Sequence, residues 1–162
     1  MEMCIRSLTS PGVQGVRDAK QAIALARDAN DYAAQFVKAH PDRLSALAAV
    51  PLQDPRAAAD ELERAVVDRG FKGALVNGYT NLGSDERVQY LDEPPAREFW
   101  ERVAKLRVPV YLHPREPLPS QRRAIQGYPE LAGSAWAFAY ETASHAIRLM
   151  LSGSSTNIQM FR

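Results

Sequence analysis

The sequence predicts an α/β chain built on a parallel sheet. Short apolar runs alternate with amphipathic segments along its length. The runs centred near Leu47, Leu75 and Val110 each lie about one βαβ unit apart. The clearest of them, Val108–His113 (VPVYLH), stops at Pro114-Arg115-Glu116-Pro117. Alternation of this kind implies parallel strands covered by helices.

The elements follow in order. Met3–Leu8 is a short β-leaning run, stopped by the loop signal Ser10-Pro11-Gly12. From about Val16 to Ala39, small or apolar residues recur at Ala19, Ile23, Ala26, Ala29, Ala33 and Phe36. That spacing makes one buried helical face. His40-Pro41 ends it, because a residue before proline is pushed out of the helical region. Arg43–Leu52 reads as a buried strand. Asp54 and Pro55 then cap and open a helix whose inner face is Ala58, Leu62, Ala65 and Val66, closed by Gly70. Phe71–Asn77 is the next strand. A polar loop from Gly78 to Pro95 holds Tyr90-Leu91-Asp92 as a brief strand or turn. Phe99, Val103 and Leu106 mark another helix, followed by the Val108–His113 strand. A last helix runs from about Leu131 to Leu151. Ser154–Arg162 has neither periodicity, so the chain divides into a domain at 1–153 and a tail at 154–162.

Composition narrows the function. At 162 residues the chain is short of the roughly 250 of a full (β/α)8 barrel and suits one domain. Twenty basic and 19 acidic residues give a formal net charge of +1, which argues against nucleic-acid and membrane-surface partners. A single cysteine, Cys4, rules out an intramolecular disulfide framework and fits a reducing cytoplasm. Cys4 itself reads as a packed small hydrophobe in a buried strand. Trp100 and Trp136 read as helix packing residues.

Chemistry in parallel α/β folds collects at the carboxyl ends of strands. Here those ends are Ser7–Ser10, Pro51–Gln53, Asn77–Tyr79 and His113–Arg115. His113 ends an apolar strand, and period-two alternation puts it on one face with Pro109 and Tyr111. Its imidazole can ligate a metal, accept a proton, or simply hydrogen-bond at the rim. Arg115 shares that face if the strand persists; it can clamp a carboxylate or pair with Glu116. Asn77 can orient a substrate or serve an Asn-Gly turn, and Ser10 reads as a turn serine. His145 lies four residues after Glu141 on one helical face; that spacing suits a metal pair or a hydrogen-bonding core histidine.

Four segments in order resemble the amidohydrolase-related aromatic acid decarboxylases of the 2,3-dihydroxybenzoate and γ-resorcylate type. They are Met1–Gly12, Pro51–Pro55 (PLQDP), Gly70–Gly78 (GFKGALVNG) and Val108–Arg115 (VPVYLHPR), within a likeness over residues 1–153. The resemblance implies a partial TIM (β/α)8 barrel of about four βα units, strands two to five of the family barrel. It implies a divalent metal, Zn or Mn with Mg as a further choice, and non-oxidative decarboxylation of a small aromatic carboxylic acid. It matches His113 to a metal ligand, and Asn77, Tyr79 and Arg115 to the substrate border. The family's Glu-x-His pair, its Gly-His-x-Gly stretch and its Asp, the presumed ring-protonating acid, have no match here. The expectation is therefore a truncated, weak or inactive carboxy-lyase. A metal-dependent hydrolase of the same superfamily is one rival. A non-catalytic chain, forming a homo-oligomer or pairing with a full-length subunit, is the other.

Overall fold

The computed structural model describes residues 3–153, and the tail 154–162 lies outside them. β1 (Cys4–Arg6) leads through a 3-10 turn at Gly12–Gly15 into α1 (Ala19–Ala39). β2 (Leu44–Ala46) and β3 (Ala48–Ala49) are one strand interrupted at Leu47, followed by α2 (Pro55–Arg69). β4 (Ala74–Asn77) gives way to β5 (Thr80–Asn81), β6 (Val88–Gln89) and α3 (Arg97–Leu106). β7 (Val110–His113) passes through 3-10 turns at Pro119–Ile125, Pro129–Leu131 and Gly133–Ala135 into α4 (Ala137–Leu151).

Apart from β5 and β6, the strands follow one another in chain order and pair in parallel. Cys4 pairs with Leu44 and Arg6 with Ala46; Ala48 pairs with Ala74. Ala74 pairs with Val110 and Asn77 with His113. This is the α/β half-sheet that four βα units predict, and the described strands form no closed barrel.

Local chemistry sets the helix ends. The Asp18 carboxylate accepts from Gln21 N at 2.9 Å and Asp54 from Ala57 N at 3.0 Å, each such cap being worth about 1 kcal/mol. Pro55 fits the first turn of α2, and Gly70 closes it at φ +72°, a conformation that favours glycine. The core lies between the sheet and its helices. Val50, Leu52, Leu62, Phe71, Val76, Phe99 and Val103 are buried there, with Val110 and Leu112 packed against them. Tyr111, between the last two, points the other way and is 54% exposed, as strand alternation requires.

A polar tie crosses the apolar layer. The Asn30 amide on α1 accepts from Ala49 N and donates to Ala49 O, both at 2.9 Å. It also donates to Glu61 Oε1 on α2 at 2.7 Å. Arg64 holds the same carboxylate through two bonds of 2.8 and 2.7 Å. A buried carboxylate that stays ionised needs pairing of this kind.

Several sequence expectations change. Cys4 is exposed rather than packed, because β1 has only β2 beside it among the described residues. The Arg43–Leu52 strand ends at Ala49. The loop after β4 contains the antiparallel β5–β6 hairpin, while Leu91 and Asp92 form a turn. α4 begins at Ala137, since Pro129 and Gly133 divide the preceding chain into short turns. Trp136 precedes α4 and is half-exposed. Trp100 packs as expected, its indole donating to Leu91 O at 2.8 Å. No helix among the described residues is long and apolar enough to cross a membrane.

The outer edges of β1 and β7 have no strand partner among the described residues, and Ile5 beside them is 54% exposed. Unpaired edges template association. The purified chain is expected to self-associate as its concentration rises, and the Ile5→Lys, Tyr111→Lys double variant to stay monomeric. Sedimentation velocity checks this; a wild-type monomer across the whole range would count against it.

Candidate active-site rim

The carboxyl ends of β3, β4 and β7 form the rim. The turn at Gly12–Gly15 folds across them, and Gln14, fully buried, reaches between strands. Its Nε2 donates to Val50 O at 2.9 Å, and its Oε1 accepts from Asn77 N at 3.2 Å. Gln53 donates to both Val13 O and Val16 O at 2.6 Å, fixing the same turn from β3's side. Side-chain amides thus serve backbone groups that the strand ladder has left behind.

Asn77 and His113 are register partners at the ends of adjacent strands. Asn77 is only 2% exposed; its Nδ2 donates to Gln14 Oε1 at 3.5 Å, and its Oδ1 has no partner among the described residues. His113 is half-buried, with its ring 6.2 Å from that of Tyr111 on the same face. Its Nδ1 lies 2.9 Å from Pro114 O. A carbonyl oxygen only accepts, so Nδ1 carries the proton. In the neutral ring this leaves the Nε2 lone pair free of that contact, the arrangement usual for a metal-ligating histidine.

The strand does not persist to Arg115, which turns towards the segment after β4. Its guanidinium donates to Tyr79 O at 2.6 Å, Asn81 Oδ1 at 2.5 Å and Gln14 O at 3.5 Å, and lies 4.0 Å from the centre of the Tyr79 ring. Both terminal nitrogens that would grip a carboxylate therefore hold this segment instead. Burial pushes the Arg115 pKa down. Tyr79 is buried, its hydroxyl donating to Glu116 O at 3.1 Å, and burial raises its pKa.

α4 closes the rim from behind. Glu141 and His145 occupy one face of it, at 1% and 0% exposure. His145 Nε2 accepts from Leu91 N at 3.0 Å, so Nδ1 bears the proton and has no partner among the described residues. Neither Glu141 oxygen has a hydrogen-bond partner there. His145 is thus a hydrogen-bonding core histidine, and no group of three or more metal-ligating side chains exists among the described residues. Tyr90 sits between the His145 ring, 4.8 Å away, and that of Tyr79, 5.9 Å away. Burial, with Glu141 adding to it, pushes the Tyr90 hydroxyl up to about 12. Arg148 covers Tyr90 at 4.4 Å and forks onto Asp92 at 2.8 and 2.9 Å.

Sequence reasoning placed His113, Asn77, Tyr79 and Arg115 on the rim, and the structure brings all of them to it. It overlooked Gln14, Asn81 and Tyr90. Gln14 carried a usable signal, being a polar residue two positions after the Pro11-Gly12 turn. Ser10 lies in a turn, as expected.

Burial moves the two α4 groups in opposite directions. Glu141 is pushed up to about 7, with Arg115 opposing, and His145 down to about 4. The folded chain keeps the Glu141 proton between about pH 4.5 and 7 while the unfolded chain loses it, so this group's stabilisation fades as pH rises. The unfolded chain takes up the His145 proton below about pH 6.5 and the folded chain only near 4, so this group's stabilisation fades as pH falls. Each effect is on the order of 3 kcal/mol, and they oppose each other between about pH 4.5 and 6.5. Urea unfolding of Glu141→Gln should show stability rising from about pH 4 to 6.5. His145→Gln should show it falling from about 4.5 to 7, with the wild type flatter than either. Parallel pH profiles for all three proteins would contradict the assignment.

Comparison with known proteins agrees with this architecture. The γ-resorcylate decarboxylase of Rhizobium radiobacter is 54% identical over 153 residues, covering 94% of this chain and 47% of that protein. A crystal structure of 2,6-dihydroxybenzoate decarboxylase complexed with 2,6-dihydroxybenzoate superposes with a TM-score of 0.95 at 51% identity, covering 99% of this chain and 49% of that one. So does the dihydroxybenzoic acid decarboxylase of Polaromonas sp. JS666, solved with manganese and the inhibitor 2-nitroresorcinol. Its TM-score is 0.95 at 46% identity, covering 99% of this chain and 48% of that one. The chain spans about half the length of the curated relatives it matches. The amidohydrolase family model matches residues 7–152, and with the parallel βα sheet and its polar carboxyl-end rim this shows that the chain belongs to the amidohydrolase family.

Proposed function

We propose that this chain carries part of the active-site rim of a divalent-metal-dependent, non-oxidative decarboxylase of dihydroxybenzoate-type acids. The observation that carries the reading is the chain-long similarity to γ-resorcylate decarboxylase. The orientation of His113 supports it from within the chain. With the proton on Nδ1, held at Pro114 O, Nε2 offers a lone pair at the end of β7. The donor therefore suits manganese, the ion named for the Polaromonas structure, or another divalent cation. Such a cation, when bound, supplies positive charge that holds the carboxylate and phenolic oxygens of the acid.

The remaining groups shape the substrate side. Tyr79 lends an aromatic wall, held by Glu116 O and the Arg115 guanidinium. Arg115 serves the substrate border through that wall, since its donors are engaged at Tyr79 and Asn81. Asn77 positions the end of β4 beside His113 and keeps an unengaged Oδ1. In the reaction the bond between ring carbon and carboxylate breaks, CO2 leaves and the ring carbon takes a proton. No described residue is assigned as the donor of that proton.

One imidazole does not by itself fix a metal geometry, so turnover by the purified chain should be slow. The expected result is manganese-dependent CO2 release from 2,6-dihydroxybenzoate, with both metal uptake and CO2 release lost in His113→Ala. Metal analysis and headspace CO2 measure the two quantities. Lactone or amide hydrolysis without CO2 release would replace this reading with a hydrolase. An absence of both metal and CO2 would remove it.

A further inference from the structure

The buried acid on α4 stands apart from the groups above. Glu141 is 1% exposed, and neither carboxylate oxygen has a hydrogen-bond partner among the described residues. Buried carboxylates normally spend their lone pairs on donors, so such a group calls for an explanation. Its position supplies one. A Cβ added to Gly78 would lie 3.0 Å from Glu141 Oε2 and 2.9 Å from Arg115 Cβ. Gly78 is thus held between the two side chains, at φ +62°, where a side chain is disfavoured for a second reason. The residues on either side of Gly78 are Asn77, register partner of His113, and Tyr79, bound by Arg115.

Resting on the decarboxylase reading, we propose that Glu141 is a positioning residue for the substrate-facing segment Asn77–Asn81, acting through Gly78 and through the charge of Arg115. Glu141 packs the underside of Gly78, and its carboxylate compensates the buried guanidinium that grips Tyr79 O and Asn81 Oδ1. Burial disfavours the Arg115 charge, while negative charge on Tyr79, Glu141 or Asp85 favours it. With Glu141 ionised, Arg115 is compensated and stays withdrawn over Tyr79. With Glu141 protonated, an uncompensated positive charge lies behind the segment and favours an anionic ligand in front of it. Burial places that change near neutrality. The titratable and charged groups around it are Arg115 after β7, Tyr79 after β4, Tyr90 after β6 and His145 on α4 itself. Arg122 and Glu86 act on Tyr79, and Asp92 and Arg148 act on His145.

Two measurements test this. The first needs no substrate: the amide resonances of Gly78, Tyr79 and Asn81 are followed from about pH 5.5 to 8.5 in the 15N-labelled chain. They should move together with one midpoint in the wild type, stay flat in Glu141→Gln and still titrate in His145→Gln. Glu141→Asp, which keeps the charge on a shorter arm, should titrate with a displaced midpoint. Flat wild-type resonances, or the wild-type titration surviving in Glu141→Gln, would overturn the assignment. The second is kinetic. The KM for 2,6-dihydroxybenzoate, whose carboxylate stays ionised throughout, should rise with pH in the wild type, on the order of tenfold. In Glu141→Gln it should hold at the acidic-limit value, the change falling on KM rather than kcat. Identical KM profiles in the two proteins would overturn it. A chain that releases no CO2 refutes the decarboxylase reading alone, because the spectra then decide the role of Glu141.

Discussion

The rim depends on side-chain amides taking over where the backbone ladder stops. β1 follows its neighbour only as far as Arg6, whose carbonyl receives Leu47 N. Beyond that point Ala49 would present a bare N–H and C=O, and Asn30 satisfies both. One residue on, Gln14 takes Val50 O and, across the gap, Asn77 N. An amide side chain spans more distance than a direct peptide-to-peptide bond, so neighbouring strands can part at the rim without leaving buried groups unsatisfied. The Gly12–Gly15 turn occupies the room gained, and every group on the rim is placed relative to it.

What was legible in the sequence was mostly local. Asp18, Asp54, Pro55 and Gly70 announce helix ends because capping is decided within a few residues. His113 was legible because strand alternation and a following proline fix both its face and its place at the strand end. The partners of these residues were not. Arg115 reaches Tyr79 and Asn81 across 36 and 34 residues, and nothing near it in sequence foretells that it turns away from the strand line. The Glu141 and His145 spacing showed a shared helical face but not that Gly78 lies against one and Leu91 against the other. Strands of two residues, as in β5 and β6, are too short for periodicity to register. The exposure of Cys4 follows from the edge position of β1, a property of the sheet rather than of the run Met3–Leu8.

α4 buries an acid and a base one turn apart without burying a net charge. The same dry surroundings favour the neutral form of each, raising the carboxylic acid and lowering the imidazole. The helix can therefore press two polar groups into the rim's rear wall, where ionised forms would each demand a partner. Tyr90 completes that wall. Its ring fills the space between His145 and Tyr79, and Arg148 lies over it while bound to Asp92.

The strap between α4 and the turn before α3 has a consequence for how the chain is made. Leu91 and His145 lie 54 residues apart, and Asp92 and Arg148 lie 56 apart. At ribosomal rates of about 5–20 residues per second, the Tyr90 segment emerges roughly 3–11 s before the helix that covers it. The parallel pairing of β1 to β4 joins segments made earlier and can precede this step. The rim then takes shape after the β1 to β4 pairing, and Tyr79, Tyr90 and the Leu91 N–H spend that interval without their rear wall. A pause in synthesis after α3 would lengthen the interval in which chaperones meet this half-built surface.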